Sequence, residues 1–143
     1  MNKSTSDLMA TLNSVQGSHE LDNYIRSLSD DTIQKTFAGY ISYMINEKSL
    51  SRAEVISRSL ISRTYGYQIF DGTRNANRDK IIALCISTGL TLEETTRGLE
   101  IAKEGILYPR DPRDAVIIYA INNKYTVRQL NSRLTENGFE ELD

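Results

Sequence analysis

Few residues in this 143-residue sequence are of a type that carries catalysis. The single histidine, His19, lies in the polar stretch GSHELDN, where a lone imidazole reads as a surface residue. The single cysteine, Cys85, lies inside the apolar run IIALCIS and reads as a small core hydrophobe rather than a thiolate. Glu93 and Glu94 are the most concentrated carboxylates, but sequence neighbours point to different faces of a helix. Glu94 is accounted for by a capping box with Thr91. One cysteine excludes an intramolecular disulfide and any multi-thiolate metal centre. There is no glycine-rich phosphate loop, no HExxH and no GxSxG. The residue inventory therefore predicts no enzyme, no cofactor and no metal, and no small-molecule effector is readable from it.

The other chemistry within reach is phosphate contact. Residues 1–47 carry three basic and six acidic side chains, net −3, and residues 81–143 carry seven and ten, again net −3. Residues 48–80 carry Lys48, Arg52, Arg58, Arg63, Arg74, Arg78 and Lys80 against Glu54, Asp71 and Asp79, net +4. A basic segment on a chain of net charge −2 suits a polyanion, because each neutralised phosphate releases counterions. Acidic flanks discourage indiscriminate binding. A solvated helical surface carries the same residue types, so charge alone leaves both readings open.

The elements that must position these residues read as helices. With 39% hydrophobic and 25% charged residues the composition is that of a globular chain. No run of about 18 apolar residues is present, which predicts no membrane span. No signal-peptide core is visible at the N-terminus, which gives a reducing, cytoplasmic location as the expectation. Apolar spacing predicts helices over 4–15 and from Ser18 through Leu21, Tyr24, Ile25 and Leu28. The stripe Ile33, Phe37, Tyr40, Ile41 and Met44 predicts a helix from Asp31 to Asn46. Ser51 with Glu54 opens a short helix to Ser59, and after Leu60–Ile61 the N-cap Ser62 opens another to Asp71, stopped by Gly72. Asn77 and Thr91 cap two more. Asp111 with Pro112 starts a helix through Ala115–Ile121, where a β-branched run also fits a buried strand; the cap chemistry and the lack of a partner strand favour helix. Thr126 with Gln129 opens the last, closed by Asn137–Gly138.

Two short capped helices joined by a tight turn have the dimensions of a helix-turn-helix. The string LSRAEVISRSLISRTYGYQIFDGTR resembles that motif in the XRE family, the Cro and phage-repressor type. Leu50, Ser51, Glu54, Val55, Ser59, Ile61, Ser62, Arg63, Tyr65, Gln68, Ile69, Gly72 and Arg74 carry the resemblance. NRDKIIALCISTGLTLEE resembles the family's fourth helix and the start of its fifth, so the similarity spans about residues 35–104. YxYQIFxGxR and LYPRDPRDA resemble a subgroup of small Gram-positive bacterial regulators. The sequence departs from the pattern at Leu60, where the family has a turn glycine, at Gly66 for an aliphatic residue, at Phe70 for Glu, at Ile56 for Ala and at Ala76 for Pro.

The resemblance implies roles. The start of the second helix of the unit would face base edges in the major groove: Arg63, Thr64 and Gln68, with Tyr67 beside them. Arg52, Ser62, Arg74 and Arg78 would contact phosphates. Tyr65, Ile69, Phe70, Val55 and Leu84 read as structural. The expected fold is all-α: a lambda-repressor-like five-helix bundle over residues 31–106, an N-terminal helical extension over 1–30 and a C-terminal helical hairpin over 107–143. The expected function is a sequence-specific double-stranded DNA-binding transcriptional regulator. The alternative is a protein-interaction module, antitoxin-like or a kinase-linked adaptor, that keeps the fold without operator binding. The all-round apolar segment 115–121 adds a homodimer as an expected partner.

Overall fold

Side chains that accept from a helix's orphan amides decide where these helices begin. In the computed structural model, which describes residues 5–29 and 35–143, Ser51, Ser62, Asn77, Thr91, Asp111 and Thr126 each cap a helix as the sequence predicts. The described residues form nine α-helices and no strand. These are α1 (Thr5–Asn13), α2 (Ser18–Ser29), α3 (Phe37–Glu47), α4 (Arg52–Ser59), α5 (Arg63–Asp71), α6 (Arg78–Thr88), α7 (Leu92–Ile101), α8 (Pro112–Asn122) and α9 (Val127–Glu136). The stretch 115–121 is helical, as its cap chemistry favours.

Two starts differ from expectation. α3 begins at Phe37 rather than Asp31, because Thr36 is extended (φ −116°, ψ 153°) and its hydroxyl accepts from the Gly39 amide. Asp31 and Ile33 lie outside the described residues, as do the side chains of Tyr24 and Leu28. At α4 the capping box is half formed: Ser51 Oγ accepts from the Glu54 amide, but the Glu54 carboxylate accepts from the Ser51 hydroxyl instead of its backbone. Thr91–Glu94 and Thr126–Gln129 make the complete box.

From α3 onward, helix ends follow one device with one exception. α3, α5, α6, α7, α8 and α9 close with a left-handed residue flanked by a pair of 6→1 and 5→2 bonds, for example Thr73 N–H to Gln68 O and Gly72 N–H to Ile69 O. Glycine holds this position at 72, 89 and 138, and Ser49, Lys103 and Lys124 hold it elsewhere. The exception is α4. Leu60 is left-handed (φ 63°, ψ 12°), yet the next amide, Ile61 N–H, donates to Ser59 Oγ rather than back to the helix. The Ser59 hydroxyl in turn donates to Ile56 O at 2.7 Å.

α6 is the central element. Every residue from Ile81 to Thr88 is buried, which is why its apolar pattern has no single face. α3, α4, α7 and α9 pack against it, α5 packs on α3 and α4, and α8 bridges α7 and α9. One core cluster runs from Phe37 to Leu134. Two reciprocal Arg–Asp clamps join the starts of α6 and α8: Arg78 to Asp114 at 3.0 and 2.8 Å, and Arg113 to Asp79 at 3.2 and 3.0 Å. The tail after α9 returns to the same place, with Asp143 N–H on Asp79 Oδ2 and Lys80 Nζ on Asp143 O. α1 buries no residue, and Met9, Leu12, Leu21 and Ile25 of α1 and α2 stay exposed.

Candidate nucleic-acid interface

The unit α4–turn–α5 carries Arg52, Arg58 and Arg63 of the basic segment, and its placement rests on two neighbouring departures from the pattern it resembles. Gly66 is buried against Ile56: a methyl group added at Gly66 would lie 2.7 and 2.8 Å from the two γ carbons of Ile56. The larger Ile56 thus occupies the volume that an aliphatic residue at 66 would take. Phe70 is also buried, and the Arg52 guanidinium lies over its ring, 5.6 Å from the centroid.

At the exposed start of α5 stand Ser62, Arg63 and Thr64. Ser62 Oγ accepts from the Tyr65 amide at 3.3 Å. The Arg63 and Thr64 amides, in the first turn, have no helical acceptor. Arg63 lies over the Tyr67 ring at 5.8 Å. Tyr65 is structural, as expected: its hydroxyl donates to Asn75 O at 3.1 Å. Its ring also carries Arg74 at 3.9 Å and Lys80 at 5.0 Å. Rings on α5 therefore hold Arg63 of the same helix, Arg74 of the loop after it and Lys80 of α6. Lys80 was not among the expected phosphate contacts; its proximity to Tyr65 spans 15 positions and leaves no local signature.

Three expected contacts sit differently from their assigned roles. Arg52 is exposed, but it is ion-paired to Asp71 at 3.3 Å, so phosphate contact means exchanging that partner. Gln68 is half-buried, with Oε1 enclosed and unpaired. Reading a base requires this side chain to swing outward; the unpaired acceptor, worth about 1–3 kcal/mol, makes that swing cheap. Arg78 leaves the set. Its guanidinium donates to both Asp114 oxygens, to Gly105 O at 2.7 Å and to Ile106 O at 3.0 Å, which uses four of its five N–H groups. Burial pushes the Asp114 carboxyl up, but the Arg78 hydrogen bonds, the Tyr108 amide and the Arg78 and Arg113 charges outweigh it and hold the group below the usual range. This is structural pairing, not a phosphate site.

His19 is exposed. Burial raises the Cys85 thiol to about 12, which makes it inert at neutral pH. Among the described residues no cluster of three or more His, Cys, Asp or Glu could hold a metal, and no helix is long and apolar enough to cross a membrane. Comparison with known proteins finds no match among family models, curated proteins or solved structures.

Proposed function

We propose that this chain is a sequence-specific double-stranded DNA-binding regulator, in which α4 and α5 form a helix-turn-helix and α5 reads the major groove. The observation that carries this reading is a coincidence. The net +4 segment 48–80 of an otherwise acidic chain includes two short helices around a tight turn, α4 and α5, with Ser62, Arg63 and Thr64 exposed at the start of the second and Lys48, Arg74 and Lys80 on the flanking segments. Arg63 is the base-reading candidate, suited to guanine O6 and N7, with Thr64 beside it and Tyr67 holding its guanidinium. Ser62 and Arg74 are the proposed contacts to the flanking phosphates; Arg52 joins them on releasing Asp71 and Lys80 on releasing Asp143 O. The resemblance to the XRE family supports the same assignment.

A second copy of the chain is the proposed partner on DNA. α8 buries Ile117, Ala120 and Ile121 in its own chain but leaves Tyr119 half exposed, and the loop that precedes α8 exposes Ile106 and Tyr108. A two-fold dimer would place half-sites about one helical turn apart. The alternative, an interaction module without operator binding, draws on the inward-turned Gln68 and the Arg52–Asp71 pair.

Variants of the two residue classes test the proposal on a duplex selected from a random-sequence library. Arg63→Ala should cost about 1–3 kcal/mol on that duplex and relax preference at one base pair. Arg74→Ala should weaken all duplexes alike and reduce the salt slope by about one. If neither variant changes affinity for any duplex, the assignment is wrong.

A further inference from the structure

On the side of α4 that leads into the Leu60 turn lies a cavity of about 510 Å³, lined by the end of α4, the end of α6 and the start of α9. That volume is within the range of small-molecule sites. Leu60, Ile86 and Val127 give it an apolar floor, and Arg58, Lys124 and Arg128 stand around it. No acidic side chain lines it. Lys124 and Arg128 make no ion pair with the described residues, and Arg58 meets only Glu54, at 3.6 Å on the exposed helix surface.

Helix ends account for part of this charge. α4, α6 and α8 all finish near the cavity, and each end is equivalent to about half a negative charge. With Glu54 counted against Arg58, and about half a positive charge from the start of α9, an excess of about one positive charge remains. Two of the four left-handed non-glycine residues, Leu60 and Lys124, line this cavity, so its apolar floor and its cationic rim each include a backbone position that L-residues rarely hold.

We infer that the Leu60 cavity binds a small amphipathic monoanion, a carboxylate with an apolar tail, the tail on Leu60, Ile86 and Val127 and the carboxylate between Lys124, Arg128 and Arg58. The inference does not depend on DNA binding. If both hold, the ligand would touch the turn that sets the start of α5.

Calorimetric titration with decanoate, decanol and inorganic phosphate, with backbone amide shifts recorded alongside, tests it on the full chain. Decanoate should bind one to one, shift the amides around Leu60, Gly89 and Tyr125, and exceed decanol by about ten- to a hundredfold. Lys124→Gln with Arg128→Gln should remove that difference and leave decanol binding unchanged, whereas Arg133→Gln, outside the cavity, should leave both unchanged. The inference is overturned by equal binding of decanoate and decanol to the unaltered chain, or by phosphate binding as tightly as decanoate. Displacement of decanoate by a non-specific DNA duplex would also overturn it, because the cations would then belong to a phosphate surface. Because the comparison of ligands uses the unaltered chain, a variant that fails to fold does not spare the inference.

Discussion

Gly66→Ala ought to stabilise an ordinary helix, and here it should do the opposite. In the interior of α5 the change gains about 1 kcal/mol of helix propensity. The new methyl, however, lies 2.7 and 2.8 Å from Ile56 Cγ2 and Cγ1. Those atoms are the branch of a β-branched side chain in α4, buried to 3% exposure, and helical isoleucine has essentially one χ1 choice. Neither atom is the free end of a flexible chain, so α5 must move or Ile56 must leave its rotamer. Overpacking of this kind costs about 1–3 kcal/mol. The net effect should be a loss of about 1 kcal/mol, or about 4 °C in Tm. With Ile56→Ala in place the same methyl enters vacated space, and Gly66→Ala should stabilise by about 1 kcal/mol or more. Urea unfolding of the four proteins of this cycle gives a coupling of about 2 kcal/mol if the contact is as described. A Gly66→Ala effect of the same sign and size in both backgrounds would refute the pairing, and with it the placement of α5 on α4.

Other outcomes follow from the same geometry. Asp114→Asn should cost about 2–4 kcal/mol by leaving Arg78 without its carboxylate. Because the folded Asp114 carboxyl titrates below its unfolded value of about 3.9, its contribution is complete above that pH and is lost as pH falls through the folded value. The variant should therefore lose less stability than the parent on acidification; equal acid slopes in pH-dependent unfolding would contradict the pairing. Leu60→Gly relieves about 1–2 kcal/mol of left-handed strain. It also forfeits about 1 kcal/mol of packing from a side chain that is 44% exposed. Thermal unfolding should give a change between zero and about 1 kcal/mol in favour of glycine, and a loss beyond 1 kcal/mol would show that the leucine contributes mainly packing. Cys85 should resist a water-soluble thiol reagent until the protein unfolds; stoichiometric labelling of the native chain would contradict its burial.

The sequence shows where these helices begin because each cap is a single polar residue acting within three positions. Thr36 is the instructive failure. The apolar stripe runs unbroken from Ile33 to Met44, so periodicity could not reveal that the helix waits for the threonine. Helix ends were legible only where glycine marks them: Ser49, Lys103 and Lys124 do the same work without a signature. The compensation of Gly66 by Ile56 could be suspected from two departures in opposite directions, and the carbon–carbon distances supply its geometry. Arg78 read as a surface cation because its partner Asp114 is 36 positions away, and nothing local ties them. The Leu60 cavity had no sequence signal at all, since its three walls come from segments near 58, 87 and 127.

A helix-turn-helix in which α5 reads base edges must distinguish one DNA sequence from another. Fluorescence polarisation measures that discrimination directly, with a duplex selected from a random library and a scrambled duplex of the same composition, each at low and moderate salt. Both should weaken as salt rises, because both release counterions. The selected duplex should stay about a thousandfold or more tighter at moderate salt. Equal affinity for the two duplexes, or no binding to either at low salt, would contradict sequence reading by α5.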